Sequence, residues 1–199
     1  MSTGVIIGVI VAVVIVAALV VWLVVARLRR RQQLRDRFGP EYDKAVDDGQ
    51  NRRAAERELG EREKRHEQFD ITPLSPTARD GYAQQWALIQ AKFVDRPDIA
   101  VAEADRLVVV VMGERGYPTE DYQQQVTDLS VQHASTLEHY RSAHDIKTRH
   151  DQSQVSTEEL RKAMVHYRSL FEDLLDPTVD GRADHVDNAG RGVNPNPRT

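Results

Sequence analysis

Histidines are the first residues of this chain whose type could support chemistry. Four are predicted to lie along one helix and a fifth on the next helix: His133, His139, His144, His150 and His166. A metal site on one helix needs ligands three or four residues apart, so that they share a face. The spacings along the first helix are six, five and six residues, so these side chains point to different faces of the helix. Because the chain also has no cysteine, the sequence predicts no metal site and no cofactor.

Carboxylates on the predicted helices could in principle form a catalytic pair: Asp105, Asp128, Glu138, Glu172 and Asp173. Nothing in the sequence brings two of them into an apolar setting, and on amphipathic helices such residues mark the solvent face. The chain also lacks the G-x-S-x-G, P-loop and G-x-G-x-x-G patterns. We therefore expect that the protein is not an enzyme.

An uncharged apolar run of 22 residues occupies residues 5–26. At 1.5 Å per residue, a helix of this length extends about 33 Å, enough to cross a hydrocarbon core of about 30 Å. The sequence predicts one transmembrane helix here. A cleaved signal peptide, followed by secretion, is the alternative. That alternative is disfavoured because the N-terminus has no basic residue and the run exceeds a signal core of about 7–15 residues.

Arginines follow the apolar run at once, and we expect five of them to contact the anionic membrane surface: Arg27, Arg29, Arg30, Arg31 and Arg35. Basic residues remain on the cytoplasmic side of a span. The sequence therefore predicts a single-pass protein of the cell (inner) membrane, with its N-terminus outside and its main domain in the cytoplasm.

The sequence predicts an all-α protein in which proline and glycine set helix boundaries. Gly39-Pro40 should end the first helix, and Gly49 and Gly60 should interrupt the charged region that follows. Five parts are predicted: a transmembrane helix (5–26), a basic juxtamembrane helix (27–38), a charged, solvated helical stalk (40–70), a helical bundle domain (75–176) and a disordered tail (177–199).

Five short helices are predicted within the bundle domain. Ser75 before Pro76 is a good N-cap, and Ser156 with Glu159 forms a capping box. Thr119 is the predicted cap of a short middle helix, and the chain should break near residues 130–133. Each helix has one apolar face to bury.

Residues 107–112 are apolar on every side of their predicted helix, so they must be either the bundle centre or a surface for a partner. The RGYP turn at 115–118 adds an arginine and a tyrosine, types that are enriched in binding hot spots. The predicted partner contacts are Val109, Val110, Met112, Arg115 and Tyr117.

The net charge of −4 belongs to the whole chain, including the arginine cluster. The remainder is therefore more acidic and has no basic face for nucleic acid. We expect the membrane and a protein as partners and no nucleic acid; homo-oligomerisation stays open.

Four short motifs resemble those of a group of uncharacterised bacterial single-pass membrane proteins with a small cytoplasmic helical domain. The motifs are FGPEY (38–42), FVDxP (93–97), RGYP (115–118) and HYRxLF (166–171). They consist of packing and turn residues, and the resemblance implies no activity, cofactor or catalytic residue.

These observations predict a membrane-anchored cytoplasmic module for protein–protein interaction. An alternative of a different class is a sensor or enzyme that binds a small ligand or a metal in the bundle core.

Overall fold

The computed structural model describes residues 3–49, 51–152 and 155–177, with side chains described from residue 11 onward. These residues form eight α-helices and no strand, which confirms the predicted all-α class. The helices are α1 (Thr3–Phe38), α2 (Pro40–Asp48), α3 (Arg52–His66), α4 (Pro76–Lys92), α5 (Pro97–Glu114), α6 (Tyr122–Leu129), α7 (Ala134–Gln152) and α8 (Thr157–Leu175). The predicted tail, from residue 178 onward, lies outside the described residues. The chain divides into two compact units between Gly60 and Glu61.

The first unit contains α1, which has the length and composition to cross a membrane. Within its described side chains, which begin at Val11, an 18-residue stretch has a mean hydropathy of 2.9, and none of that stretch is buried. The helix continues through the arginines to Phe38, as predicted. Gly39 then takes the left-handed φ of +44° and Pro40 opens α2. Because glycine has no Cβ, it adopts this conformation without steric cost, so the chain can turn there.

The predicted solvated stalk is folded back on α1 within this unit. Arg31 Nε lies 3.8 Å from Glu56, whose carboxylate also accepts a hydrogen bond of 3.0 Å from the Tyr42 hydroxyl. Five apolar side chains in α1, α2 and α3 are buried: Leu34, Phe38, Tyr42, Ala55 and Leu59. No helix contributes more than two of them, so the charged segment shows no extended apolar stripe, and the sequence therefore suggested a solvated segment.

Only one of the two predicted breaks in the stalk region occurs. Gly49 ends α2, whereas α3 runs through Gly60 without interruption. A glycine inside a helix lowers stability by roughly 1 kcal/mol relative to alanine, and a folded domain can tolerate this cost. The predicted break at Gly60 is therefore wrong.

The second unit begins at Glu61, earlier than the predicted domain start at residue 75. His66, at the end of α3, is buried with its ring 6.0 Å from that of Tyr117. The following segment is extended, and the Thr72 amide donates a 3.0 Å hydrogen bond to the Arg115 carbonyl. Residues 61–74 are therefore part of the bundle domain.

Side-chain caps begin three helices of this unit, α4, α6 and α8. The Ser75 hydroxyl accepts a hydrogen bond from the Ala78 amide, and Ser156 with Glu159 forms the predicted capping box. The middle helix α6 is capped by Asp121, whose carboxylate accepts from the Gln124 amide. The prediction of Thr119 as this cap is wrong, because the helix begins two residues later.

The core of the second unit is built around α5, which packs between α4 and α8. One face of α5 is fully buried and consists of Ala100, Val101, Ala104, Leu107, Val108, Val111 and Met112. Trp86 of α4 stacks on Phe171 of α8, with ring centroids 4.7 Å apart. Helices α7 and α8 form the most extensive helix pair and complete the core.

Gly116 is expected to be the least replaceable glycine of the domain. Its φ is +97°, and a Cβ added there would lie 2.4 Å from the Asp70 carbonyl oxygen. Gly116→Ala should therefore lower the free energy of unfolding by at least about 2 kcal/mol. Urea unfolding of the full chain in detergent, followed by Trp86 fluorescence in a Trp22→Phe background, measures this change.

Gly81 provides the matched control. It lies in α4, and a Cβ added there would meet no atom within 4 Å. Gly81→Ala should raise the free energy of unfolding by about 0.5–1 kcal/mol, because alanine is the better helix former. Equal effects of the two substitutions would contradict the close approach at Gly116.

Candidate functional site

Three of the five predicted partner contacts lie inside the domain. Met112, Arg115 and Tyr117 are buried, so their prediction as surface contacts is wrong. Val109 is half-buried and Val110 is exposed. The prediction for the Arg115–Tyr117 turn failed because the extended segment before α4 covers this turn, and that segment lies outside the predicted bundle domain.

Arg115 is the largest fully buried side chain among the residues that the structure describes. It follows the last residue of α5, and its guanidinium Nη1 donates a 2.9 Å hydrogen bond to the Leu174 carbonyl near the end of α8. The same guanidinium lies 6.0 Å from the centre of the Tyr117 ring. A buried cation needs such partners because removal from water disfavours its charge. Arg115 thus ties the end of α5 to the end of α8.

His133, Thr136 and Asp173 lie near Arg115 and form with it a buried polar cluster. Their side chains, His133 Nδ1 and Asp173 Oδ2, are 2.8 Å apart, and Thr136 donates a 2.6 Å hydrogen bond to the same carboxylate oxygen. Burial by itself would raise the pKa of Asp173. The hydrogen bond and charge of His133, the Thr136 hydroxyl and the Arg115 charge outweigh burial, so the pKa lies below its ordinary value.

Asp128 is a second carboxylate of this region, and unlike the half-buried Asp173 it is buried. It accepts a hydrogen bond of 2.9 Å from Gln124 and lies 3.3 Å from Arg65 Nε. Burial raises its pKa, and the Gln124 hydrogen bond and the Arg65 charge only partly offset that effect. The pKa of Asp173 is therefore lowered, whereas the pKa of Asp128 is raised.

The buried polar cluster joins the ends of three helices. Arg115 and His133 have no exposed surface, so a substrate arriving from solvent cannot reach either group. Each helix end meets the cluster through hydrogen bonds: α5 through Arg115, α7 through Thr136 and α8 through Asp173. These hydrogen bonds give the Leu174 carbonyl and the Asp173 carboxylate partners near the ends of the helices.

The exposed apolar side chains of the domain are concentrated elsewhere, on the helical hairpin formed by α4 and α5. Five large apolar side chains in the described part of the domain are exposed, and four belong to this hairpin: Leu88 (71 %), Val94 (84 %), Ile99 (36 %) and Val110 (54 %). The fifth is Val165 of α8. Exposed apolar residues that cluster mark a surface for another molecule.

A groove runs along this hairpin between its two helices. Ile89 and Leu107 form the apolar floor, and Leu88 and Val110 form the edges. The Lys92 ammonium and the Glu103 carboxylate, 2.6 Å apart, also line the groove. Val110 was among the predicted partner contacts, whereas Leu88 and Val94 were not. For Leu88, the signal would have been an apolar residue of α4 away from the buried Trp86 and Ile89.

The five predicted membrane-surface arginines have different surroundings in the first unit. Arg27, Arg29 and Arg30 are exposed. Arg31 is half-buried and pairs with Glu56, and the exposed Arg35 lies 3.4 Å from Asp43. Exposed arginines next to an apolar helix are available for lipid headgroups, whereas the other two also hold α2 and α3.

Of the five histidines predicted to lie on helices, only two contact each other. His139 of α7 and His166 of α8 meet with their Nδ1 atoms 2.9 Å apart, whereas His144 stacks on Tyr122. Asp105 accepts a 2.9 Å hydrogen bond from the Tyr167 hydroxyl. Within the described residues, no group of three or more histidines and carboxylates could hold a metal ion.

No protein-family model matches this chain, and no curated protein or solved structure matches it either.

Removing the Asp173 carboxylate should destabilise the domain in a pH-dependent manner. A lowered pKa stabilises the fold above the unfolded value of about 4, and this contribution is lost as pH falls through the folded pKa. Asp173→Asn should therefore reduce the free energy of unfolding by about 1–3 kcal/mol at pH 7. The difference from the wild type should shrink towards pH 2–3. Denaturation of the full chain in detergent at several pH values measures it.

Asp145→Asn is the matched control, since Asp145 forms only an exposed ion pair with Arg149. This substitution should change stability by less than about 0.5 kcal/mol at either pH. A penalty for Asp173→Asn that is the same at pH 7 and pH 3 would show that the Asp173 charge does not stabilise the fold.

Proposed function

We propose that this chain is a membrane-anchored helical module, without enzymatic activity, that binds another protein at the cytoplasmic face of the cell membrane. The observation that carries the proposal is the apolar groove of the α4–α5 hairpin, with Leu88 and Val110 facing solvent. Single exposed apolar residues are ordinary on a protein surface, whereas a group of them on one hairpin marks a surface for another molecule.

The partner that fits this groove is an amphipathic helix. A groove between two helices accepts a third helix that inserts apolar residues spaced three or four apart. Arg106 lines the same groove and makes no ion pair with any residue in the described part of the chain. The bound helix should therefore carry an acidic residue at the border of its apolar face, where it would meet Arg106.

The apolar helix α1 and the arginines after it support the membrane part of the proposal. Arg27, Arg29 and Arg30 are exposed directly after the apolar stretch, which favours their retention on the cytoplasmic side. Confinement at the membrane raises the effective concentration of the hairpin towards partners held in the same membrane. A modest groove can then bind specifically without a large interface.

Single cysteines test the proposed orientation, because the natural chain contains none. In intact spheroplasts, a membrane-impermeant maleimide should label Thr3→Cys. Asp145→Cys, an exposed position on α7, should react only after permeabilisation. The expected pattern follows from the basic residues being retained inside.

The reverse labelling pattern would contradict the cytoplasmic location. Intact mass of the membrane-bound chain gives an independent check. Loss of residues 1–26 from the mature protein would mean export after cleavage, and the anchoring proposal would then fail.

Photo-crosslinking tests the groove itself. A photoreactive amino acid at Leu88 or Val110 should form a discrete adduct with a second protein in intact membranes, since both side chains border the groove. Arg106→Glu should weaken the adduct formed from position 110, because it would repel the acidic residue expected in the bound helix. Electrophoresis and mass spectrometry identify the adducts.

Val165 is the matched control position. It is also an exposed valine, 60 % against 54 % for Val110, but it belongs to α8 and not to the hairpin. The same adducts from position 165, or none from positions 88 and 110, would refute the groove as the binding surface. An adduct of two copies of this chain would replace the proposed partner by self-association.

A further inference from the structure

The α7–α8 helix pair brings two histidines from different helices into direct contact. His139 and His166 lie 27 residues apart in sequence, yet their Nδ1 atoms are 2.9 Å apart and their ring centroids 5.1 Å apart. His139 is exposed and His166 is half-buried. Solvent therefore reaches the pair, and so can a dissolved ion.

The separation of the two nitrogens suits chelation of one metal ion. Metal–imidazole bonds are about 2.0–2.1 Å long, so two nitrogens 2.9 Å apart subtend an angle of roughly 90° at the metal. An angle near 90° belongs to neighbouring positions in square-planar, tetragonal or octahedral coordination. Tetrahedral zinc would need the nitrogens roughly 3.3 Å apart. Copper(II) prefers the tetragonal geometry and binds most tightly among the divalent first-row metals.

We propose that His139 and His166 form a binding site for a divalent transition metal ion, preferentially Cu²⁺. Both Nδ1 atoms would be ligands, and water molecules would occupy the remaining positions. The described residues supply no third histidine or carboxylate in a common group, so the site is open on its solvent side. This inference does not depend on the proposed protein-binding function.

The neighbouring tyrosines hold the two histidines in place. Tyr140 and Tyr167 follow the two histidines in sequence, are buried, and pack edge to face with ring centroids 6.2 Å apart. The Tyr140 hydroxyl donates to Gln125 and the Tyr167 hydroxyl donates to Asp105. Because the backbone on both helices is fixed next to each histidine, the pair is preorganised for chelation.

The two imidazoles share a hydrogen bond that a metal ion would replace. Burial and the nearby charge of His139 lower the pKa of His166. Without metal, one Nδ1–H donates to the other Nδ1 atom. When the metal binds, the donor imidazole loses its Nδ1 proton to solvent and carries a proton at Nε2, so that each Nδ1 atom has a lone pair for the metal.

Copper binding to the full chain in detergent tests the site, with a purification tag that contains no histidine. The wild type should bind one Cu²⁺ with an electron paramagnetic resonance spectrum of tetragonal copper coupled to two imidazole nitrogens. His139→Gln and His166→Gln should each weaken binding by more than about tenfold and remove one nitrogen from the spectrum. His150→Gln, on the same helix as His139, should bind like the wild type.

Thermal unfolding gives a second measurement that does not rely on the spectrum. An ion that bridges α7 and α8 stabilises only the folded state, so Cu²⁺ should raise the melting temperature of the wild type and of His150→Gln. The rise should be absent in the other two variants. Equal copper affinity in all four proteins, or a wild-type spectrum with fewer than two coupled nitrogens, would overturn the proposal.

Discussion

Between Leu107 and Met112, α5 presents apolar side chains in every direction, and such a helix is stable in water only when other helices cover it. Covering it requires α4 on one side and α8 on the other, and the Trp86–Phe171 stack joins these two across the same core. Seven side chains of α5 are buried in this way. The positions of α4 and α8, and with them the α7–α8 pair, therefore follow from the burial of α5.

The same constraint explains where polar groups are buried and where apolar groups are exposed. Because α5 ends inside the domain, its last turn leads directly into a buried arginine, and Arg115 must find partners on α8 and near Tyr117. Two helices cannot cover a helix that is apolar all round, so Val110 remains on the outside. The buried polar cluster and the apolar groove are thus two consequences of one strongly apolar helix.

The α7–α8 pair has a different balance of buried and exposed groups. Its inner side is closed by the contact between Tyr140 and Tyr167, whose hydroxyls hydrogen-bond to Gln125 and Asp105. One residue before each tyrosine, a histidine projects towards the solvent side. The packed tyrosines fix the two helices on the inner side, and the two imidazoles on the outer side are therefore held at a fixed separation. Neither helix contains a metal-ligand motif.

Sequence alone determined the features that depend on neighbouring residues. These include the apolar helix α1, its end at Gly39-Pro40, the Ser75 cap of α4 and the capping box of α8. A cap or a proline acts within one helical turn, so its effect can be predicted from a few residues. The inward stripe of α5 was predictable for the same reason, because helical periodicity is a local property.

Only the tertiary structure decided which surfaces these helices cover. The Arg115–Tyr117 turn is buried because residues 70–72 lie across it, and the charged region before residue 60 folds back through the Arg31–Glu56 pair. His139 and His166 meet only because α7 and α8 pack side by side. Each of these contacts joins residues at least 25 positions apart. Periodicity and capping carry no information about such pairs, because helix packing alone brings them together.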